Sequence, residues 1–227
     1  LALHEFSRHG SEALLAMRAN GYEMLIGACL EKFDHAGAGQ LLEEVIELSL
    51  EGRLNHSLSL YWARVYAMRW QDSLAAYQFE MALEALASSV DEDSSAGELV
   101  QADHERQFIL TEFIIAAVSA RDEQRLLAIR AKFGDPEEVL GARYDWLRAS
   151  LADSHPLVCE VRFAEGLLFT LFREYSRAVE HWQSLYLDVK NSSTFGESHP
   201  FTLRTQHELA YSLVCEGDVE RGIELFK

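Results

Sequence analysis

"ESHPFTLRTQHELAYSLVCEGDVERGIELF", Glu197 to Phe226, opens with a signal that occurs twice: Ser198-His199-Pro200 repeats Ser154-His155-Pro156, forty-four residues earlier. The residues behind the two copies also correspond. Setting Gly166 against Ala210 aligns Phe169 with Leu213, Ala178 with Gly222 and Trp182 with Phe226. The same spacing laid at Ala63 reads Tyr66, Ala75 and Phe79. Small, large, small, aromatic at offsets 0, 3, 12 and 16 therefore appears three times. An amphipathic helix accounts for apolar recurrence at three and four residues, but not for small residues held twelve apart. Small residues mark places where two antiparallel helices approach closely, because bulk on either side would force them apart. Fainter copies begin at Gly27 (then Leu30, Gly39, Glu43) and at Ala116 (then Ser119, Ala128, Lys132). Internal repetition of helical hairpins builds a solenoid.

Away from the repeat, the pattern stays helical. The three prolines, at 136, 156 and 200, all stand where a helix can begin, as in "GDPEE", "SHPLV" and "SHPFT". Proline suits the first turn because its missing N–H would have had no partner there. No stretch alternates apolar and polar residues as a half-buried strand would. The spacing predicts helices over 2–19, 21–33, 38–51, 56–70, 72–90, 98–120, 122–133, 136–152, 156–173, 175–190 and 200–216, with a twelfth starting at 218. Loops are expected at 34–39, 91–97 and 191–199. The class is all-α: a right-handed superhelix of antiparallel helix pairs with about five repeats. The expected organisation is one repeat domain over 1–227, a segment of something longer. Its repeats are clearer over 56–87 and 154–227 and degenerate in the rest of 1–153.

Composition narrows the function classes. Hydrophobic residues make up 48% and aromatics 11%, too many for a disordered chain. The formal charge of −17 opposes a nucleic-acid surface, which needs clustered Lys and Arg, and suits a basic partner. No apolar run reaches the roughly 18 to 20 residues that span a bilayer. Three cysteines, Cys29, Cys159 and Cys215, suggest a reducing, cytoplasmic setting rather than a disulfide framework.

The spacing of small and aromatic residues resembles the tetratricopeptide repeat (TPR), which has small residues at its eighth and twentieth positions and an aromatic at the twenty-fourth. The C-terminal copies are similar to the kinesin-light-chain type, whose repeats open His-Pro-x-Thr-Leu and continue to Leu-Ala and then Gly. His199, Pro200, Thr202, Leu203, Leu209, Ala210 and Gly217 match; Gly222 departs where that type prefers Ala. The copy at 155–187 keeps His155 and Pro156 but carries Val158, Cys159 and Arg173 in place of Thr, Leu and Gly. The resemblance implies a non-enzymatic scaffold that binds a protein or peptide in a concave groove lined by the first helix of each pair. It places Arg64, Met68, Glu160, Phe163, Arg204, His207 and Tyr211 on that wall; packing against neighbouring helices is the other use for each. Similar arrays also form the regulatory part of some bacterial transcription activators, with a DNA-binding domain elsewhere in the chain, and this is the alternative reading. Self-association is compatible with either.

No catalytic or metal constellation emerges. His4 and His9 in "HEFSRH" are five apart, which turns the second about 140° away from the first on a helix, so one zinc cannot take both. His155 and Cys159 share a helical face, but a helix-entry His and a core Cys explain them without a metal. Cys215 lies beside Glu216, which disfavours a thiolate. The "GAG" at 37–39 lacks the Lys of a phosphate loop. Tyr61, Trp62, Tyr66, Trp70 and Tyr77 have the spacing of packing aromatics rather than of a ligand cage. No cofactor is expected.

Overall fold

The structure, a computed structural model, describes residues 2–32, 34–48, 56–89 and 96–226; side chains are described from Glu12 onward, apart from residues 13, 56, 89, 96 and 98. The His4 and His9 side chains, Lys227 and most of the expected 91–97 loop fall outside these residues. Among the described residues every regular element is a helix: α1 (Ala2–Glu31), α2 (His35–Glu47), α3 (His56–Met68), α4 (Asp72–Ser89), α5 (Ala96–Ser119), α6 (Glu123–Phe133), α7 (Pro136–Arg148), α8 (Pro156–Leu171), α9 (Tyr175–Lys190), α10 (Pro200–Glu216) and α11 (Val219–Leu225).

Two expectations change. A single helix, α1, replaces the predicted 2–19 and 21–33. Gly21 does not break it, because Ala19 and Ile26 on either side are both buried and hold the helix to the core; mid-helix Gly costs only about 1 kcal/mol. The 34–39 stretch is the start of α2 rather than a loop. The Asp34 side chain accepts the Gly37 N–H (2.9 Å) as an N-cap, and Ala38 and Gly39 are already buried.

Ser-His-Pro has a physical role in these helix entrances. At His155 and His199 the ring Nδ1 accepts the backbone N–H of Leu157 (3.3 Å) and Phe201 (3.1 Å), with proline in the first turn. Histidine thus caps a helix as Asp122, Asp135 and Asp218 do elsewhere.

The exits are equally regular. Gln71, Asp122, Glu174 and Asp218 each donate a backbone N–H five residues back, to the carbonyls of Tyr66, Ala117, Phe169 and Leu213, at 2.9 to 3.0 Å. The residue before each donor has positive φ: Trp70 (57°), Arg121 (53°), Arg173 (61°) and Gly217 (111°). This is the left-handed helix cap that turns a chain sharply into the next helix. Asp34 makes the same bond to Cys29 at 2.8 Å. Counting back eight residues from each donor gives Ile26, Ala63, Ile114, Gly166 and Ala210, which sets the repeat register. The strong copies stand where the sequence put them. The two faint ones move, from Gly27 to Ile26 and from Ala116 to Ile114. A large Ile occupies the position where the others carry a small residue, so a search for small residues settles on a neighbour. Ile26, Ile114, Ala38, Leu42 and Leu126 are all completely buried, as the revised register requires.

The chain forms two compact units, divided between Ala116 and Ala117 within α5. In the first, α1 and α2 form one hairpin and α3 and α4 another, around a core of Ile26, Leu30, Leu42, Val45 and Val65. In the second, α7 packs on α8, α8 and α9 form a hairpin, and α9 packs on the α10–α11 hairpin. Helix α7 is an extra element, ending at Arg148 rather than 152. Close approach is literal here. A Cβ on Gly166 would lie 2.6 Å from Cζ2 of the fully buried Trp182. A Cβ on Gly222 would lie 2.9 Å from the Ala210 carbonyl oxygen, which explains why Gly stands where the similar repeats carry Ala.

Candidate functional site

The first helices of the second unit, α8 and α10, carry five of the seven candidate wall residues. Capping by His155 and His199 fixes where each helix starts and therefore which side chains share a face. On α10, Thr205, Leu209, Ser212 and Leu213 are buried, while Leu203, His207, Tyr211 and Val214 remain exposed. Glu208 is the charged member of the buried face. It pairs with Arg121 at 3.0 and 3.3 Å, which neutralises a carboxylate that is only 6% exposed.

Arg204 lies with its guanidinium 4.5 Å from the centre of the Phe163 ring, and Phe163 is buried against Trp182 (4.9 Å) and Phe201 (5.3 Å). The two residues therefore form one stacked cation–π unit, Arg204 above and Phe163 beneath. Glu160, one turn before Phe163, is reached by solvent, yet desolvation by its surroundings raises its carboxyl above the ordinary value. His207 meets Phe226 edge-on at 5.4 Å. The Tyr211 hydroxyl hydrogen-bonds Cys215, which raises the phenol pKa. Arg64 and Met68 belong to the first unit. Met68 packs on that unit's core, and Arg64 lies close enough to the Tyr61 phenol to oppose the rise in its pKa. That phenol is pushed up to about 12, chiefly by burial and then by Glu23, whose carboxylate accepts its proton at 3.3 Å.

Beneath the face, polar groups are consumed by structure. Thr170 donates to the Gly166 carbonyl (2.9 Å), accepts from the Trp182 indole N–H (3.2 Å) and meets the Ser212 hydroxyl at 3.4 Å, tying α8, α9 and α10 together. The buried Arg162 reaches Asp188 at 2.7 Å and Ser184 at 3.0 Å. Thr202 is the exception: its hydroxyl is buried without a hydrogen-bond partner. These cross-helix pairings have no short-range pattern. Arg121 with Glu208 and Arg162 with Asp188 were missed because nothing local links them.

An open depression of about 340 Å³ lies between α8 and α9, lined by Glu165, Phe169, Arg177, Glu180 and His181. Arg177 covers the Phe169 ring at 4.2 Å and bonds Glu137 (2.5 Å) and Glu174 (2.6 Å). His181 Nε2 sits 2.6 Å from the Arg162 carbonyl oxygen, which can only accept, so that nitrogen carries the proton. Burial holds this imidazole neutral, with its pKa lowered to about 4. Cys159 is buried, its thiol 3.4 Å from the Asp153 carbonyl oxygen and pushed up to about 11 by desolvation, so it is a core group with little thiolate. In the first unit Trp62 and Tyr66 stack at 5.6 Å, whereas Trp70 and Tyr77 are exposed. No described helix is long and apolar enough to cross a membrane.

Two solved structures share this arrangement of hairpins. Both are described as a kinesin light chain from Podosopora anserina with nearly identical TPR-like repeats, and one is a point variant. They are 17% and 18% identical to this chain, cover 93% of it and 92% of their own chains, and superpose with TM-scores of 0.54 and 0.52. The fold is that of a TPR-like repeat protein. No protein-family model and no curated protein matches the chain. At these identities the likeness extends to the fold alone, and side-chain roles on the wall rest on the geometry described above.

Proposed function

We propose that this TPR-like chain is a non-enzymatic scaffold that binds a protein or peptide segment along the first helices of its pairs, in the cytoplasm. The observation that carries this reading is the stripe on α10. His207, Tyr211 and Val214, at i, i+4 and i+7, remain exposed beside Arg204 although the opposite face of the same helix is fully packed. A mixed aromatic, apolar and cationic stripe offers an extended or helical peptide both area and hydrogen bonds. Glu160 supplies an exposed carboxylate one turn before Phe163, and the chain carries a net charge of −17; both favour a partner segment that includes Lys or Arg.

The test is affinity capture followed by direct measurement. Proteins retained by the purified chain are identified and reduced to the binding peptide. That peptide is then titrated against the unaltered chain and against an Arg204→Ala/Tyr211→Ala variant. A loss of about 2 kcal/mol or more in the variant supports the face. Equal affinity for both proteins removes it.

A further inference from the structure

Helix α1 has two apolar faces and covers only one. Ala19, Ile26 and Leu30 are buried on the core side. Leu14, Met17, Gly21, Met24 and Ala28 recur at spacings of three, four, three and four on the opposite side, about 180° around the helix. Leu14 is 60% exposed, Met17 72% and Met24 77%, and Leu25 flanks them at 56%. A helix that is apolar all round is normally buried all round. The 3-4 spacing is that of a coiled-coil seam, and no charged residue interrupts it between Leu14 and Ala28.

The order of side-chain sizes along the seam indicates what covers it. Packed antiparallel against itself about a two-fold axis, with facing seam positions that sum to 45, the stripe sets Met24 opposite Gly21, Met17 opposite Ala28 and Leu14 opposite Glu31 at the end. Both methionines meet a small residue, only the terminal Leu14 faces a charged one, and the two-fold repeats every contact. Gly21 has space for this: a Cβ there would meet nothing within 4 Å in one copy. We infer that a second copy of this chain occupies the seam, pairing antiparallel through α1 with each Met24 seated over the other copy's Gly21. A two-fold contact counts the stripe twice, which brings it towards the roughly 1,000 Å² that a specific interface requires. Two chains of −17 charge repel, so the pairing should tighten with salt as repulsion is screened, the opposite of an ion-paired interface.

Light scattering coupled to size exclusion, over a concentration series, tests this on the whole chain. The expected result is a concentration-dependent species of twice the 25.7 kDa protomer mass, favoured by raising the salt. Met17→Glu/Met24→Glu should return it to the protomer mass with an unchanged helical circular dichroism spectrum. Gly21→Leu is the second variant. It adds apolar surface and no clash within one copy, yet fills the notch and should weaken pairing tenfold or more. Non-specific stickiness would respond the other way, with Gly21→Leu strengthening association. A chain at protomer mass throughout the series, or a dimer indifferent to Gly21→Leu, overturns the proposal and leaves the stripe to a different chain or helix.

Discussion

Replacing Gly166 with alanine asks whether two helices meet where the repeat register says they do. The new methyl would stand 2.6 to 2.8 Å from three carbons of the Trp182 indole, well inside contact distance. The ring cannot yield cheaply, since it is fully buried, edge-on to Phe163 at 4.9 Å, and pinned by its N–H to Thr170 at 3.2 Å. Overpacking of this kind costs about 1–3 kcal/mol. Alanine's better helix propensity returns about 1 kcal/mol. The net expectation is a loss of up to about 2 kcal/mol, or a melting temperature lower by up to roughly 8 °C for a chain of this size. Thermal unfolding followed by circular dichroism reads it, and a double-mutant cycle isolates the contact. In a Trp182→Phe background the smaller ring makes room, so Gly166→Ala should become neutral or stabilising, with a coupling of about 1–2 kcal/mol. If Gly166→Ala stabilises the unaltered chain, helix propensity has won unopposed, and the helices do not meet at this pair.

Thr202→Val should be neutral or stabilising by up to about 1 kcal/mol in chemical denaturation, because it replaces a buried hydroxyl without a partner by an isosteric methyl. His181 should make the fold acid-sensitive. Its folded pKa is lowered from 6.5 to about 4, so the unfolded chain binds the extra proton between those values; its contribution is complete above about pH 6.5 and declines towards pH 4. Between about pH 7 and 5 the unaltered chain should lose about 2 kcal/mol relative to His181→Gln, an order-of-magnitude figure. That comparison is needed because burial raises the Glu160 and Glu165 carboxyls, which slope the opposite way at lower pH. Arg204→Ala/Tyr211→Ala should lower the melting temperature by only a few degrees, since it removes one half-exposed stack of about 0.5–1 kcal/mol while the buried face of α10 stays intact.

The strong repeats were legible because their small residues are real: Gly166 and Gly222 sit at contacts where nothing larger fits without displacement, and Ala178 is completely buried. The helix entrances were legible through Pro136, Pro156 and Pro200. The exits were not. Three of the four left-handed positions are held by Trp70, Arg121 and Arg173, where sequence reasoning looks for glycine, and the hydrogen bond five residues back holds that backbone instead. Without the exits the faint copies could not be registered, since Ile26 and Ile114 carry no small-residue mark. On the candidate face, resemblance named single positions, whereas the structure shows which of them act together. Arg204 and Phe163 form one stacked unit, Tyr211 is joined to Cys215, and His207 lies against Phe226. Those pairings depend on how helices cross, and no local sequence pattern encodes a crossing.

The central claim is the register of the hairpins, and the Gly166–Trp182 contact reports it directly. Nuclear Overhauser spectroscopy on isotope-labelled protein should show strong cross-peaks between the Gly166 α protons and the six-membered ring of the Trp182 indole, with ring-current-displaced glycine resonances. Gly166 α protons at ordinary helical shifts, with cross-peaks to a side chain other than Trp182, would contradict the account.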